Sequence, residues 1–503
     1  MNFSKFWPKR NKKKSSKARE SIDSDYINYD LFYQLSYMSS IAAAGITRSQ
    51  IFEFASQLSC STSRYFAEVH LLARKMRYDY AVACRMVGES AKSEAVKSLL
   101  LRLSSSMGSG EAESDFLGQE AKIQAEAFKN DYERAVESLR KWTEAYAALI
   151  VSAALIVMVA AISMLIYPVA TGLTVALVGM TIVVAIVGAW AIYRVSPKEV
   201  RVHNPATYCG TYDRAGRLAR ILLPIAAASF FVLLLLGAGL GWALMVASAM
   251  VFPIGVAGTL FDRQVTRKDS DVSTFLRSLG NVASAIGITV SSALDRLDLR
   301  STANLAKDVK HLRSRLVTRL KPELCWQRFS LETGSETIYR SVKMFQDATR
   351  LGGDPQEVGE RSSLLAMNLD FLRAKRGQVS SSFILLVMGM HVALVALLLF
   401  VIQVITIFGN TVEGVYSDAI TGLPSKTVEV FSFSFANVGL LKTMVIPVIL
   451  VLAGANAFAI KAADGGNWYK LYGYLGVTFG LSGAALVFVP IMAERVFSSI
   501  PKM

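Results

Sequence analysis

Apolar positions along this chain gather into long uncharged stretches that alternate with two polar blocks. No charged residue lies between Glu144 and Arg194, a gap of 49 residues, or between Arg220 and Asp262, a gap of 41. Further gaps run from Arg376 to Glu413 (36), from Lys442 to Lys461 (18) and from Lys470 to Glu494 (23). A membrane-spanning helix needs roughly 20 apolar residues. The first gap therefore predicts two spans within 145–193, broken at Tyr167-Pro168. The second predicts two within 221–261, broken at the glycines Gly237, Gly239 and Gly241. Single spans follow at 381–408, 439–460 and 471–493, making seven. Between and around them lie a basic tail at 1–25, expected to be disordered, a basic loop at 194–220 and a loop at 409–438.

The polar blocks, 26–144 and 262–380, carry the periodicity of helices. Leu31, Phe32, Leu35, Met38, Ile41 and Ala42 recur at helical spacing. Gly45 suits the stop after that helix, and Thr47 to Gln50 reads as a capping box opening the next. The second block repeats this order. Ala43 to Ser49 (Ala-Ala-Gly-Ile-Thr-Arg-Ser) aligns with Ala285 to Ser291 (Ala-Ile-Gly-Ile-Thr-Val-Ser) at an offset of 242. Gly287 is then the corresponding stop and Thr289 the corresponding cap. The break at Gly108-Ser109-Gly110 has its counterpart at Gly352-Gly353. There Asp354, Pro355 and Glu357 stand where a cap, a first-turn proline and an acid open a helix. In both blocks the last polar helix runs into a span without a breaker. Shared capping chemistry in unrelated bundles would give some of these matches; matching order, spacing and exit favour duplication. The fold class expected is all-α: a polytopic membrane protein with seven transmembrane helices and two duplicated cytoplasmic helical bundles.

Charge sets the orientation. Arg194, Lys198, Arg201, Arg214, Arg217 and Arg220 crowd the 194–220 loop, whereas the turns at Tyr167-Pro168 and Gly237–Gly241 carry no charge. Basic loops stay cytoplasmic. The expectation is a cytoplasmic N-terminus, both bundles on that same side, 409–438 outside, and residence in the cell membrane.

The repeated elements resemble the type II secretion system F-domain family, the membrane platform proteins of secretion systems, type IV pili, tight-adherence pili and the archaeal flagellum. Ala44-Gly45-Ile46-Thr47 and Ile286-Gly287-Ile288-Thr289 match the family's first element, and Gly108–Glu111 and Gly352–Asp354 its glycine break. Two such domains separated by four spans, with three more after the second, look most like the archaeal subclass. The loose form of the glutamate-glycine pattern at Gly108–Glu113 is a departure from bacterial relatives. The resemblance implies a non-enzymatic platform that couples a cytoplasmic secretion or pilus ATPase to insertion of pilin or archaellin subunits. Membrane lipids and a second copy of the chain, as a homodimer, complete the expected partners; nucleic acid is not among them.

The remaining chemistry is sparse. The chain lacks a G-x-x-x-x-G-K-[ST] loop, H-E-x-x-H and G-x-S-x-G. Its four cysteines and four histidines are scattered, so no metal, cofactor or catalytic residue is expected. His391 falls inside the fifth predicted span, where an ionisable group is a functional candidate. Without an acidic partner on any span it suits an interhelical hydrogen bond better than a proton relay. A transporter or channel is the alternative function, and the spans offer it almost no polar path. A receptor would need a larger outer segment.

A net charge of +15 is unevenly spread. Phe3, Phe6 and Trp7 stand at the head of a run of lysines and arginines from 5 to 19, a pattern suited to anionic lipid or to a solvated tail. The block from Asp262 to Arg376 carries 20 basic and 14 acidic residues, whereas Asp30 to Lys141 balances at 14 and 14. Much of the excess sits at Lys307, Lys310, Arg313, Arg315, Arg319 and Lys321. Such a run is either a solvated helix face or a surface for docking an acidic partner, here the ATPase.

Overall fold

The computed structural model describes residues 27–166, 171–199, 201–202, 211–419 and 436–498. Among them the chain is helical, with one isolated bridge between Val202 and Ser335 and no strand. The basic tail, the Tyr167-Pro168 break and residues 420–435 of the 409–438 loop lie outside the described residues. The helix before that loop continues to Ala419.

The elements in chain order are α1 (Ile27–Ala42), α2 (Arg48–Ser56), α3 (Ser63–Lys75), α4 (Tyr80–Ser90), α5 (Glu94–Ser109) and α6 (Glu113–Ile166). Then come α7 (Thr171–Val195), α8 (Thr211–Leu235), α9 (Leu240–Ile286), α10 (Val290–Ala293) and a 3-10 turn at Leu299–Thr302. The last six are α11 (Ala306–Val317), α12 (Pro322–Thr333), α13 (Glu336–Arg350), α14 (Pro355–Ala419), α15 (Ala436–Asp464) and α16 (Lys470–Ser498). Among the described residues seven helices are long and apolar enough to cross a membrane: α6 to α9 and α14 to α16. The chain is an all-α, multi-pass membrane protein. Three of these helices, α6, α9 and α14, are 54, 47 and 65 residues long, because each carries a polar segment and an apolar one without a break.

Two compact units form. Among the described residues the first takes 27–133, 198–199, 201–202 and 264–373; the second takes 134–166, 171–197, 211–263, 374–419 and 436–498. Most of both polar blocks thus folds into the first unit together. Within it the helices recur in one order. Arg48 and Val290, Tyr80 and Pro322, Glu94 and Glu336, and Glu113 and Pro355 begin corresponding helices, each pair 242 residues apart. The stops recur at the same interval. Gly45 and Gly287 have φ of +68° and +66°, and Gly110 and Gly352 have +78° and +97°. Only glycine adopts that region without strain.

Side chains of the first repeat make a conventional core. Leu31, Phe32, Phe52, Phe66, Leu99 and Leu100 are buried, each contributing about 1.5–3 kcal/mol over an exposed position. The second repeat buries Phe275, Leu279, Phe329, Val342 and Phe345 at its centre.

The second unit packs Tyr146, Ile150, Ala185, Ala189, Phe383, Val387 and Ala459 into one apolar cluster, and Val157, Val395, Ile402 and Ile449 into another. Its closest helix crossing uses glycine. A Cβ placed on Gly255 of α9 would collide with the backbone of Gly473 of α16, and one on Gly483 would lie 2.8 Å from Gly241 O. Small residues permit that approach where lipid supplies no hydrophobic drive for helix association.

Candidate functional site

The singled-out turn residues are seated as helix boundaries. Thr47 N–H donates to Gln50 Oε1 at 3.1 Å, tying the start of α2. Thr289 Oγ1 accepts from Ser292 N–H at 3.4 Å at the start of α10. Gly353 acts differently from Gly352. It is closely packed, and a Cβ there would lie 3.0 Å from Val358 Cγ2 and 3.1 Å from Ala348 O.

The basic residues of the second repeat do not form one uniform face. Helix α11 buries Asp308, Val309 and Leu312 and turns Lys307, Lys310 and Arg313 outward. Arg313 pairs with Asp295. Arg315 lies on the other flank, half-buried, and donates two hydrogen bonds to Glu332 of α12 at 2.9 and 2.6 Å. Burial pushes the Glu332 carboxyl up, but hydrogen bonds from Arg315 and Arg328 outweigh it and hold the carboxyl below its ordinary value. Arg319 sits past the helix end with φ of +58°, exposed. Lys307, Lys310 and Arg319 are therefore outward charges; Arg313 is outward too but paired with Asp295 at the surface, and Arg315 spends its charge on half-buried Glu332.

Contacts between the repeats were not visible from local sequence. Arg340 of α13 is buried, at 5% exposure. It pairs with Asp30 of α1 at 2.9 Å and with Glu336 at 2.7 Å, and lies over the rings of Tyr29 and Tyr33 at 4.4 and 4.7 Å. Burial alone would lower its affinity for the proton, yet the facing Tyr29 and the Glu336 and Asp30 carboxylates hold it well above the ordinary value. Burial pushes the Tyr29 phenol up to about 12. Tyr37 donates to Asp347 at 2.8 Å, and Arg361 donates to Ser39 O at 2.7 Å. A second buried group joins the short loop before residue 203 to the same unit. Arg373 pairs with Asp269 at 2.6 Å and with Glu199 at 2.7 Å, while Arg201 also donates to Glu199.

In the membrane-spanning unit His391 is fully buried. Its Nε2 lies 2.9 Å from Ser482 Oγ and 3.2 Å from Thr478 O, and its Nδ1 3.1 Å from Asn456 Nδ2. Asn456 Oδ1 in turn accepts from Tyr146 at 2.7 Å. The network joins α6, α14, α15 and α16 by interhelical hydrogen bonds. The ends of apolar segments converge elsewhere in this unit. Arg376 donates to Ala462 O, Ala463 O and Pro197 O at 3.0, 3.0 and 2.8 Å, and Asp262 accepts from Asn467 N–H and pairs with Lys470.

Among the described residues no group of three or more His, Cys, Asp or Glu is placed to hold a metal ion. No family model and no solved structure matches the chain. Curated relatives do. The chain is 24% identical over 455 residues to the flagella accessory protein J of Methanococcus voltae, a match covering 86% of this chain and 78% of the relative. It is similar, at 24% identity over 452 residues and with the same coverage, to the flagella accessory protein J of Methanocaldococcus jannaschii.

Proposed function

We propose that this chain is a non-enzymatic membrane platform for assembling the archaeal flagellum, a filament of the type IV pilus kind. The observation that carries the reading is the construction of α6, α9 and α14. Each joins a polar segment to an apolar, membrane-length segment in one helix. A force applied to the polar part has a stiff route into the bilayer. Similarity to two flagella accessory proteins over most of the chain supports the same role.

In this reading the partners are a cytoplasmic ATPase, archaellin or pilin subunits with apolar helices, lipid, and a second copy of the chain. Residues 26–144 and 262–380 are cytoplasmic, as is the N-terminus, and 409–438 faces outside. The meeting of Pro197, Asp262, Arg376 and the 464–470 turn supports that topology, since the polar edges of apolar segments gathered in one cluster fit one membrane face. Single cysteines at Lys12 and Lys310, in a chain whose native cysteines are replaced, should resist an impermeant reagent in intact cells. Strong labelling of either would invert the topology.

Lys307, Lys310 and Arg319 form the ATPase-docking surface, with Arg313 and Arg315 fixing the helix beneath it. An exposed ion pair contributes about 0–1 kcal/mol, so one substitution should do little. Lys307→Glu, Lys310→Glu and Arg319→Glu together should slow association and flatten its salt dependence. The measurement is a titration of the full chain in lipid nanodiscs with the purified ATPase at low and high salt. Equal affinity and equal salt dependence of variant and native chain would leave the face merely solvated.

A further inference from the structure

Matched helices should offer matched surfaces, and at one place the two repeats do not. In the first repeat the helix ends around α2 and α4 are tied together. Arg48 Nε donates to Glu113 Oε1 at 2.6 Å, and the Tyr80 hydroxyl meets Ser49 Oγ at 3.2 Å. The Tyr80 ring packs against Phe52, with centroids 4.9 Å apart. The residues 242 positions later are Val290, Pro355, Pro322 and Ser291. Neither link can form between them. Helix α10 is also only four residues long where α2 has nine.

An open groove of about 680 Å³ lies there instead, within the range of about 300–1,000 Å³ of sites that take ligands or side chains. Val290, Pro322, Trp326 and Phe345 line it, and Ser291 is retained on its wall. Its border is basic. Lys321 and Arg350 line it, Glu323 is engaged by Arg350, and Arg319 stands beside Lys321 in the chain. Leu320, next to Lys321, and Leu324, three residues after it, are 54% and 60% exposed.

We propose that this groove docks a protein segment presenting an aromatic side chain, tyrosine above all, flanked by acidic residues. The first repeat supplies the template: the corresponding walls are bridged by a tyrosine whose hydroxyl meets a serine. The excess of Lys321 and Arg319 supplies the charge complementarity, which sets register and encounter more than affinity. The aromatic ring contributes area at little entropic cost. Arg319 is shared with the proposed ATPase-docking face, whereas Lys321 lines the groove and is no part of that face, so Lys321→Glu reports on the groove alone.

The test uses the full chain in nanodiscs of neutral lipid and a labelled synthetic peptide with a central tyrosine between glutamates. Control peptides carry alanine at the centre or lysines at the flanks. The acidic tyrosine peptide should bind at least about tenfold more tightly than either control, a difference of one decade in Kd. Val290→Arg, Pro322→Tyr and Pro355→Glu together install the closing links of the first repeat and should remove that binding without lowering the unfolding temperature. Should that triple variant fail to fold, Lys321→Glu keeps the idea testable: it should weaken the acidic peptide and favour the lysine-flanked one. Equal binding of all three peptides, or undiminished binding to the folded closed variant, overturns the proposal. So does adsorption to anionic phosphatidylglycerol vesicles that closure abolishes, without any peptide preference; the groove is then a membrane contact.

Discussion

The two repeats of the first unit share a backbone plan and differ in how their helices touch. In the first, Met38 and Leu117 are fully buried where α1 and α6 face each other. The corresponding residues of the second are Gly280 and Gly359, and the helices close to backbone contact: a Cβ on Gly359 would lie 2.8 Å from Leu276 O, and one on Gly280 would collide with Pro355 O. One repeat fills the space with side chains and the other removes it. The link between repeats is one-sided as well. Asp30 and Arg340 form a buried pair, while the positions related to them by the 242-residue interval are Val272 and Ser98. Duplication preserved the stops and caps, which any copy needs to turn the chain, and let the contact surfaces diverge.

The largest expected effect comes from breaking the one-sided link. Arg340→Ala strands Asp30 and Glu336 in the interior and should cost about 3–5 kcal/mol, read by denaturant unfolding of the solubilised protein. Replacing both partners by their counterparts, Asp30→Val with Arg340→Ser, should restore part of that loss. A single substitution costing under about 1 kcal/mol would mean the pair is solvated.

Next is the helix crossing. Gly280→Met imports the first repeat's residue into a site without room and should cost about 1–3 kcal/mol or more, whereas Met38→Leu should stay below about 1.5. Comparable losses at the two sites would show that the packing difference is not real.

The glycine stops should behave alike. A Cβ on Gly45 or Gly287 meets nothing within 4 Å, so valine there costs only backbone strain, about 1–2 kcal/mol each. Unfolding midpoints of Gly45→Val and Gly287→Val that differ widely would end the equivalence of the turns.

The smallest effect concerns a pair that only the second repeat has. Glu332 has a folded-state pKa below its unfolded one, so its contribution is present above the ordinary carboxylate range and lost as pH falls through it. Glu332→Gln should cost about 0–1 kcal/mol at neutral pH and make stability less sensitive to acid. An unchanged acid limb would assign that sensitivity to other carboxylates.

The features legible in the sequence are those with local causes. Charge gaps report the seven membrane-length helices because lipid tolerates few charges over a span. Gly45, Gly287 and Gly352 are readable because a left-handed turn demands glycine whatever lies around it, and Thr47 and Thr289 because caps act within one helical turn. Packing of both polar blocks into one unit left no such mark. Tyr37 and Asp347, like Asp30 and Arg340, meet across 310 residues of chain, and nothing near any of them announces the partner. Among the basic residues, spacing offered Lys307, Lys310, Arg313, Arg315 and Arg319 as a single run and could not reveal that Arg315 is held by Glu332, a contact made by a neighbouring helix. His391 was recognisable as an unusual intramembrane residue; its partners Asn456 and Ser482, ordinary polar residues in apolar helices, became significant only when folded beside it.

The glycine crossing of α9 and α16 also governs how the protein is solvated by the bilayer. Two helices in backbone contact leave no cleft for an acyl chain, so lipids meet the pair as a single broad wall. Hydrocarbon thickness then acts on both at once: a bilayer too thin or too thick must tilt them together or deform around them. Helix α8 presents the opposite case, with only 11% of its apolar window buried. Changes in lipid length should register first in the environment of α8, leaving the glycine-seamed pair as the fixed reference against which that change is felt.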